Sequence, residues 1–305
     1  MIKIKVPATS ANLGPGYDSF GLALNLFNIY EFSQKKDDQF NISIKDSNNK
    51  IVNFKKEDNL ILKTLLTMKE YYPDQIETKG LKIKVDLNYP LDRGLGSSAN
   101  AIIGTLCGIN EIFNLELNNK KILDLALQIE GHPDNIVPAL LGGFTISQVE
   151  KGQLNYEKFT VSKKINILLF IPNLEIKTKN ARKIIGTKID INAASQNIAN
   201  ASLVTAGFIK NDLDLIKKGS KDYIHQKKRL SLNNKLNMFF NEISKMIESP
   251  FFLSGSGSTI IFLSKKDFTE KEEILKMKAK DLGIVNYLIE TQVNNQGIII
   301  NKVGD

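Results

Sequence analysis

At 305 residues the chain is long for a single domain, so two domains or one elaborated core is the expectation. Its 42% hydrophobic and 24% charged content is that of a water-soluble globular protein. No apolar run approaches the roughly 18 residues of a membrane span, and "MIKIKVPATS" lacks a secretory apolar segment, so membrane and secreted classes are set aside. The net charge of +8 is mostly lysine, spread without a basic block or interleaved aromatics, which speaks for a solvated surface rather than a nucleic-acid groove. One cysteine, Cys107, leaves no internal disulfide and fits a cytoplasmic protein.

In chain order, the alternation of "IKIKVPA" predicts a strand ending at Pro7, and "IYEFS" and "QFNISIKD" predict two more. "EDNLILKTLLTMKEYY" has Leu60, Leu62, Leu65 and Leu66 at helical spacing, with Pro73 just beyond. "LKIKVDLNYP" reads as a strand running into a glycine-rich turn, and "ANAIIGTLCGINEIF" as the helix after it. A second helix, "NKKILDLALQIE", leads into "GHPDNIVPALLGGFTIS". Further on, "INILLFI" is a buried strand, residues 192 to 246 are helix-rich, and "FFLSGSGSTIIFLS" is strand–glycine turn–strand. A helix "TEKEEILKMKAKDLG" and strands "NYLIETQV" and "GIIINKV" close the chain. The fold class is α+β, with an N-terminal sheet-plus-helices domain (1–155) and a C-terminal ferredoxin-like domain (156–305).

Four segments are unusually polar and glycine-rich. In "PLDRGLGSSANAIIG", Gly94 and Gly96 permit φ > 0 and close approach of a ligand, and Ser97 and Ser98 stand where a helix begins. The open N–H groups there make an anion site, a phosphate being the natural guest. "PATSANLGPGYDSFGLAL" sets Asn12 and Asp18 in a turn; "EGHPDN" packs two carboxylates, a histidine and an amide into six residues; "SGSGS" (254–258) is another glycine turn. Each alone has an ordinary reading as a cap, a first-turn carboxylate or a hairpin, but their joint occurrence favours function. Only three of the 41 basic residues are arginine (Arg93, Arg182 and Arg229), and only two histidines occur, His132 and His225. A lysine-biased chain keeps arginine where a planar fork must grip a carboxylate or phosphate.

These strings resemble the homoserine kinases, members of the small-molecule (GHMP-type) kinase superfamily that also holds galactokinase and mevalonate kinase. "PATSANLGPGYDSFGLAL" and "EGHPDN" followed by "GGF" are specific to that branch, and "P…GLGSSA" is the superfamily phosphate loop. The resemblance implies ATP as co-substrate, Mg2+, and transfer of phosphate to the side-chain hydroxyl of L-homoserine. It assigns ATP to Asn59 (at the adenine) and to Pro90, Leu91, Asp92, Arg93, Gly94, Leu95, Gly96, Ser97, Ser98, Ala99 and Asn100. It assigns the metal to Ser98 and Glu130. It implies that Arg182 and Arg229 grip the substrate carboxylate, Asp134 holds its ammonium, and Asn12, Asp18 and Asn135 orient the hydroxyl, with Thr178 near the transferred phosphate. His132 reads as structural. The sequence departs from the family pattern in "SGSGS", in "HQKKR" for a more usual His-Glu-Pro-Tyr-Arg, and in Asn100, where a small residue is common.

The chain lacks the Walker and protein-kinase signatures. A kinase of the superfamily acting on mevalonate-like substrates is the second reading, disfavoured by the paired arginines and the first motif. A non-enzymatic nucleotide or nucleic-acid binder is the third. The expected partner is a small amino-acid substrate, with no nucleic acid or membrane, and a homodimer is left open.

Overall fold

A computed structural model describes residues 1–35, 38–174, 176 and 178–302, the side chains of 178 and 179 excepted. Its described strands form two sheets. The first is built from β1 (Ile2–Ala11), β2 (Phe20–Gln34), β3 (Asn41–Lys45), β4 (Leu81–Asp86), β5 (Phe144–Glu150), β6 (Gln153–Phe159) and the last strand of the chain. Interleaved with these are α1 (Leu60–Tyr71), α2 (Ser97–Ile112), α3 (Asn119–Glu130) and α4 (Pro133–Leu141). Buried Ile4, Val6, Phe32, Ile83 and Val85 from the sheet pack with Ile102, Ile103, Leu106 and Ile109 of α2, whose fully buried residues place it in the centre of this core.

The second part starts at β7 (Asn166–Pro172), continues through α5 (Thr178–Lys183), α6 (Ile191–Lys210), α7 (Leu213–Lys218), α8 (Gln226–Leu230) and α9 (Asn234–Ile243), and returns as β8 (Phe251–Leu253) and β9 (Ile260–Ser264). It closes with α10 (Thr269–Asp281) and β10 (Asn286–Gln292), after which the chain ends in β11 (Ile299–Lys302). Its sheet order is β10-β7-β9-β8, with every pairing antiparallel. That order, with helices between the first and second strands and between the third and fourth, is the ferredoxin-like split βαβ arrangement. The fold is therefore the expected two-part α+β architecture.

Three details differ from the sequence reading. The division at 155/156 falls inside β6, because the β5–β6 hairpin belongs to the first sheet, with Phe144 opposite Phe159. β11 also returns to the first sheet, pairing Ile2 with Lys302, so the chain's end does not belong to the second. And β1 does not stop at Pro7. It runs to Ala11 with a register shift between Pro7 and Thr9 against β2, which itself begins at Phe20. Asn12 follows directly on the end of this irregular strand.

Candidate active site

The phosphate-loop segment runs from strand β4 into α2 through a left-handed pair, Gly94 (φ 78°) and Gly96 (φ 69°). Gly96 is the N-cap of α2 and supplies no side-chain cap, so the first-turn N–H groups of a 16-residue helix point out unsatisfied by the chain's own side chains. The Ser97 hydroxyl there is buried without a hydrogen-bond partner among the described residues, a donor in want of an acceptor. A Cβ on Gly96 would fall 1.9 Å from Thr9 Oγ1, and one on Gly94 2.2 Å from the Ser254 carbonyl. Only glycine fits either place.

Two cavities meet at this turn. One, of about 560 Å³, has an apolar wall of Ile44, Ile61, Val85 and Leu87 and a rim including Asn59. The other, about 100 Å³, is lined by Asn12, Glu130, His132, Asp134, Asn135, Arg182 and Arg229, together with Gly255 and Ser256 of the "SGSGS" turn. Asp92, Ser97 and Ser98 line both, so the helix N-terminus stands between an apolar chamber and a charged one. Asn59 caps α1, its Oδ1 accepting from Leu62 N–H at 3.1 Å, which leaves its amide nitrogen as the donor it offers the larger cavity.

The charged cavity is a meeting of both halves of the chain. Asp18 (φ 54°) receives a bidentate bond from Arg182, Nη1 to Oδ2 at 2.9 Å and Nη2 to Oδ1 at 2.8 Å, while Asn12 Oδ1 accepts from Asp18 N–H at 3.0 Å. Burial opposes the Arg182 charge, but the Asp18 bonds outweigh it and raise its pKa. Its Nε–H is buried with no partner among the described residues. Arg229 is itself only 2% exposed. It donates from Nη1 to the Gly255 carbonyl at 2.6 Å and lies 5.3 Å from the centre of the Tyr17 ring. Burial lowers its pKa.

On the opposite wall, Pro133 at the first position of α4 orients the two residues that follow it. Asp134 is 4% exposed, and burial, with repulsion from Asp18 next, pushes its carboxyl up to about 7. Asn135 accepts at Oδ1 from Thr9 Oγ1 at 2.7 Å and so sits against Gly96 of the phosphate loop. Glu130, at the end of α3, accepts a hydrogen bond from Ser98 Oγ; burial raises its pKa. This hydroxyl–carboxylate pair beside the phosphate turn is a hard-oxygen donor set of the kind Mg2+ takes, with water and phosphate oxygens completing its shell. Among the described residues no cluster of three or more His, Cys, Asp or Glu offers an alternative metal site.

Of the residues expected to act, Asn12, Asp18, Glu130, Asp134, Asn135, Arg182 and Arg229 therefore meet at one cavity with Gly94, Gly96, Ser97 and Ser98. Thr178 opens α5 within the same region, but its side chain lies outside the described residues. Other positions lie elsewhere. Leu95, Ala99 and Asn100 are fully buried. Asn100 takes hydrogen bonds from Tyr30 and Asn28 and gives two to the carbonyls of Val6 and Pro7, at the register shift of β1. Its unusual side chain is thus a core bracket rather than a nucleotide contact. Arg93 bonds Asn173 and the Leu91 and Asp92 carbonyls, and lines neither cavity. Pro90 and Leu91 edge a separate groove, of which only Leu91 also reaches the larger cavity. Tyr17 and His225 carry no assigned role in the sequence reading, and Gly255 and Ser256 enter it only as part of the "SGSGS" turn; for His225 the available signal is a scarce histidine four residues before a scarce arginine.

The GHMP kinases N terminal domain family matches residues 59–143, the segment holding the phosphate loop and "EGHPDN". A homoserine kinase of Clostridium botulinum (strain Alaska E43 / Type E3) is 33% identical over 305 residues, covering 99% of both chains. One of Clostridium beijerinckii is 35% identical over 298 residues, covering 95% of this chain and 96% of the other. Among solved structures, a homoserine kinase of Cytophaga hutchinsonii superposes with a TM-score of 0.84 at 25% identity, over 98% of this chain and 97% of that one. A mevalonate kinase shares the fold at a TM-score of 0.68 and 18% identity, covering 96% and 99% of the two chains. An end-to-end match at a third identity, joined to motifs that fall in one cavity, means that the chain belongs to the homoserine kinase family.

Proposed function

We propose that this chain transfers the γ-phosphoryl group of ATP to the side-chain hydroxyl of L-homoserine, giving O-phospho-L-homoserine and ADP, a step of threonine biosynthesis. The observation that carries the reading is the convergence of two arginine forks with the carboxylates of Asp18, Glu130 and Asp134 at a small cavity beside an open helix N-terminus. The apolar chamber with Asn59 on its rim suits the adenosine, and the turn from Gly94 to Ser98 suits the phosphates. Ser98 and Glu130 would hold the magnesium ion, which neutralises phosphate charge when bound.

An amino-acid carboxylate entering the cavity competes with Asp18 for the Arg182 fork, and the second fork, Arg229, stands opposite. Asp18, once released from Arg182, needs a new cation, and the substrate ammonium is the one that arrives with the carboxylate. Asp134 and Asn135, packed against Gly96, then face the hydroxyl. This exchanges the parts that the resemblance implies for Asp18 and Asp134, because Asp18 already holds a charge partner that the substrate can replace. In the transfer, the hydroxyl oxygen bonds to the γ-phosphorus as the bond to the bridging oxygen of ADP breaks. Asp134, which lines the cavity, is the group we assign to accept the hydroxyl proton. Its carboxyl, raised to about 7, exchanges protons readily near neutral pH. With a loose transition state, positioning and charge stabilisation carry more of the rate than a strong base.

We place the reaction in the cytoplasm; no helix among the described residues is long and apolar enough to cross a membrane, and Cys107 is buried and unpaired. Coupled ADP release measured across homoserine, serine, threonine and mevalonate tests the proposal. Homoserine should be turned over with the highest kcat/KM. A preference for mevalonate would overturn it.

A further inference from the structure

We infer that His225 is a positioning residue for substrate binding: as a neutral imidazole protonated on Nε2, it fixes the Arg229 guanidinium in the orientation that receives the substrate carboxylate. The inference rests on the proposed role of Arg229. His225 is the N-cap of α8 and is fully buried, four residues before Arg229 and on the same helix face. Its Nε2 lies 2.7 Å from the Gly14 carbonyl, and its Nδ1 3.3 Å from Arg229 Nη1. A carbonyl can only accept and a guanidinium can only donate, so the two partners leave one tautomer: Nε2–H donates to Gly14 and Nδ1 accepts from Arg229.

The surroundings hold the ring neutral. Burial works against the imidazolium, and Arg229 faces it from α8 itself; together these outweigh Asp222, whose Oδ2 lies 3.7 Å away but is occupied by the backbone N–H groups of His225 and Gln226. Asp18, from the first glycine turn, is a more distant favourable charge, and the pKa comes down to about 4. Tyr17 completes the packing, its ring 5.5 Å from the His225 ring and 5.3 Å from the Arg229 guanidinium carbon. Histidine therefore links the backbone of the turn bearing Asn12 and Asp18 to the second arginine fork. A buried histidine serving only as a strut would need the Gly14 bond alone.

The two ring nitrogens can be separated by substitution. His225→Asn keeps an acceptor near the Nδ1 position, and His225→Gln keeps a donor near the Nε2 position. The expectation is a homoserine KM raised about 10-fold in His225→Ala and in His225→Gln, equal to about 1.4 kcal/mol of lost binding, and within about threefold of wild type in His225→Asn. The KM for ATP should stay within about twofold in all three, since neither His225 nor Arg229 is placed at the nucleotide. In an Arg229→Lys background, His225→Ala should add no further rise. 15N NMR of the chain's two histidines should show His225 neutral and Nε2-protonated at neutral pH, a readout independent of how the variants fold. Three results overturn the inference: a wild-type-like His225→Gln beside an impaired His225→Asn, an Nδ1-protonated or charged His225 at neutral pH, or the same rise from His225→Ala with and without Arg229. A raised KM in Arg229→Lys with none in His225→Ala sinks this inference alone; an unmoved KM in Arg229→Lys sinks the carboxylate assignment and the inference with it.

Discussion

Asp134 shows what a single side chain costs the fold in order to serve the site. Its carboxyl is raised from 3.8 to about 7, first by burial and then by Asp18. Between about pH 4 and 7 the folded protein thus holds a proton that the unfolded chain has already released. Stability falls across that window as pH rises, and stays low above it. Asp134→Asn removes the penalty. The variant should melt several degrees above the wild type at pH 8, at about 2–4 °C per kcal/mol, with the difference shrinking to nothing by pH 4, while homoserine turnover collapses. Thermal melts of both proteins from pH 4 to 8 check the sign; equal melting temperatures at pH 8 would mean that the carboxyl is not desolvated as the structure has it. Glu130 is raised by burial too, with its Ser98 bond and the positive charges of Arg182 and Lys63 acting against that.

At the scale of elements, the phosphate turn owes its shape to neighbours from far along the chain. Thr9 N–H donates to the Leu95 carbonyl, Thr259 N–H donates to the Arg93 carbonyl, and the Ser254 hydroxyl reaches both the Gly94 carbonyl at 2.6 Å and Ser10 Oγ at 2.8 Å. Gly94→Ala would drive a methyl group to within 2.2 Å of the Ser254 backbone carbonyl at a left-handed φ. It should cost about 1–3 kcal/mol of stability and weaken ATP binding by at least about 10-fold. Calorimetric titration with a non-hydrolysable ATP analogue measures this, and unchanged affinity would return the segment to the status of a simple turn. The left-handed glycines and the helix after them were legible in the sequence, because each is set by local backbone chemistry; α4, which starts inside "EGHPDN", was not predicted as a helix. What was not legible depends on long-range partners. The buried bracket made by Asn100 needs carbonyls more than 90 residues away, and the start of β2 is held by β5, opposite Phe20 to Leu22, and by the end of β1, opposite Gly21 and Leu22. The pairing of His225 with Gly14 spans 211 residues, so periodicity carries no trace of it.

Across the whole molecule, the site exists only where the two sheets' parts face each other. The first part supplies Asn12, Asp18, the phosphate turn, Glu130 and Asp134, and the second supplies Arg182, Arg229 and the Gly255 turn. Asn197 of α6 fastens the same seam by donating to the Pro15 carbonyl and accepting from Tyr223 N–H. The net charge of +8 acts differently on the two substrates. Magnesium-bound ATP remains anionic, whereas homoserine is a zwitterion with no net charge. With a Debye length of about 8 Å at physiological ionic strength, added salt should weaken the first more than the second. Raising KCl from about 0.05 to 0.5 M is expected to increase the KM for ATP by about threefold or more and that for homoserine by less than about twofold. Equal responses would mean that the lysine-rich surface plays no part in drawing in nucleotide.

The central claim, that two arginines from the second part of the chain hold the carboxylate of an amino-acid acceptor, is tested most directly by steady-state kinetics of Arg182→Lys and Arg229→Lys. Lysine keeps the charge and loses the planar fork that meets a carboxylate with two parallel bonds. In each variant the KM for homoserine should rise about 10-fold or more, the equivalent of losing about 1.4 kcal/mol of binding, while the KM for ATP moves little. Arg93→Lys, whose guanidinium lies on Asn173 outside both cavities, should leave the homoserine KM unchanged and serves as the control. Homoserine KM values equal to wild type in both Arg182→Lys and Arg229→Lys would contradict the assignment, even if the protein proved to phosphorylate some other alcohol.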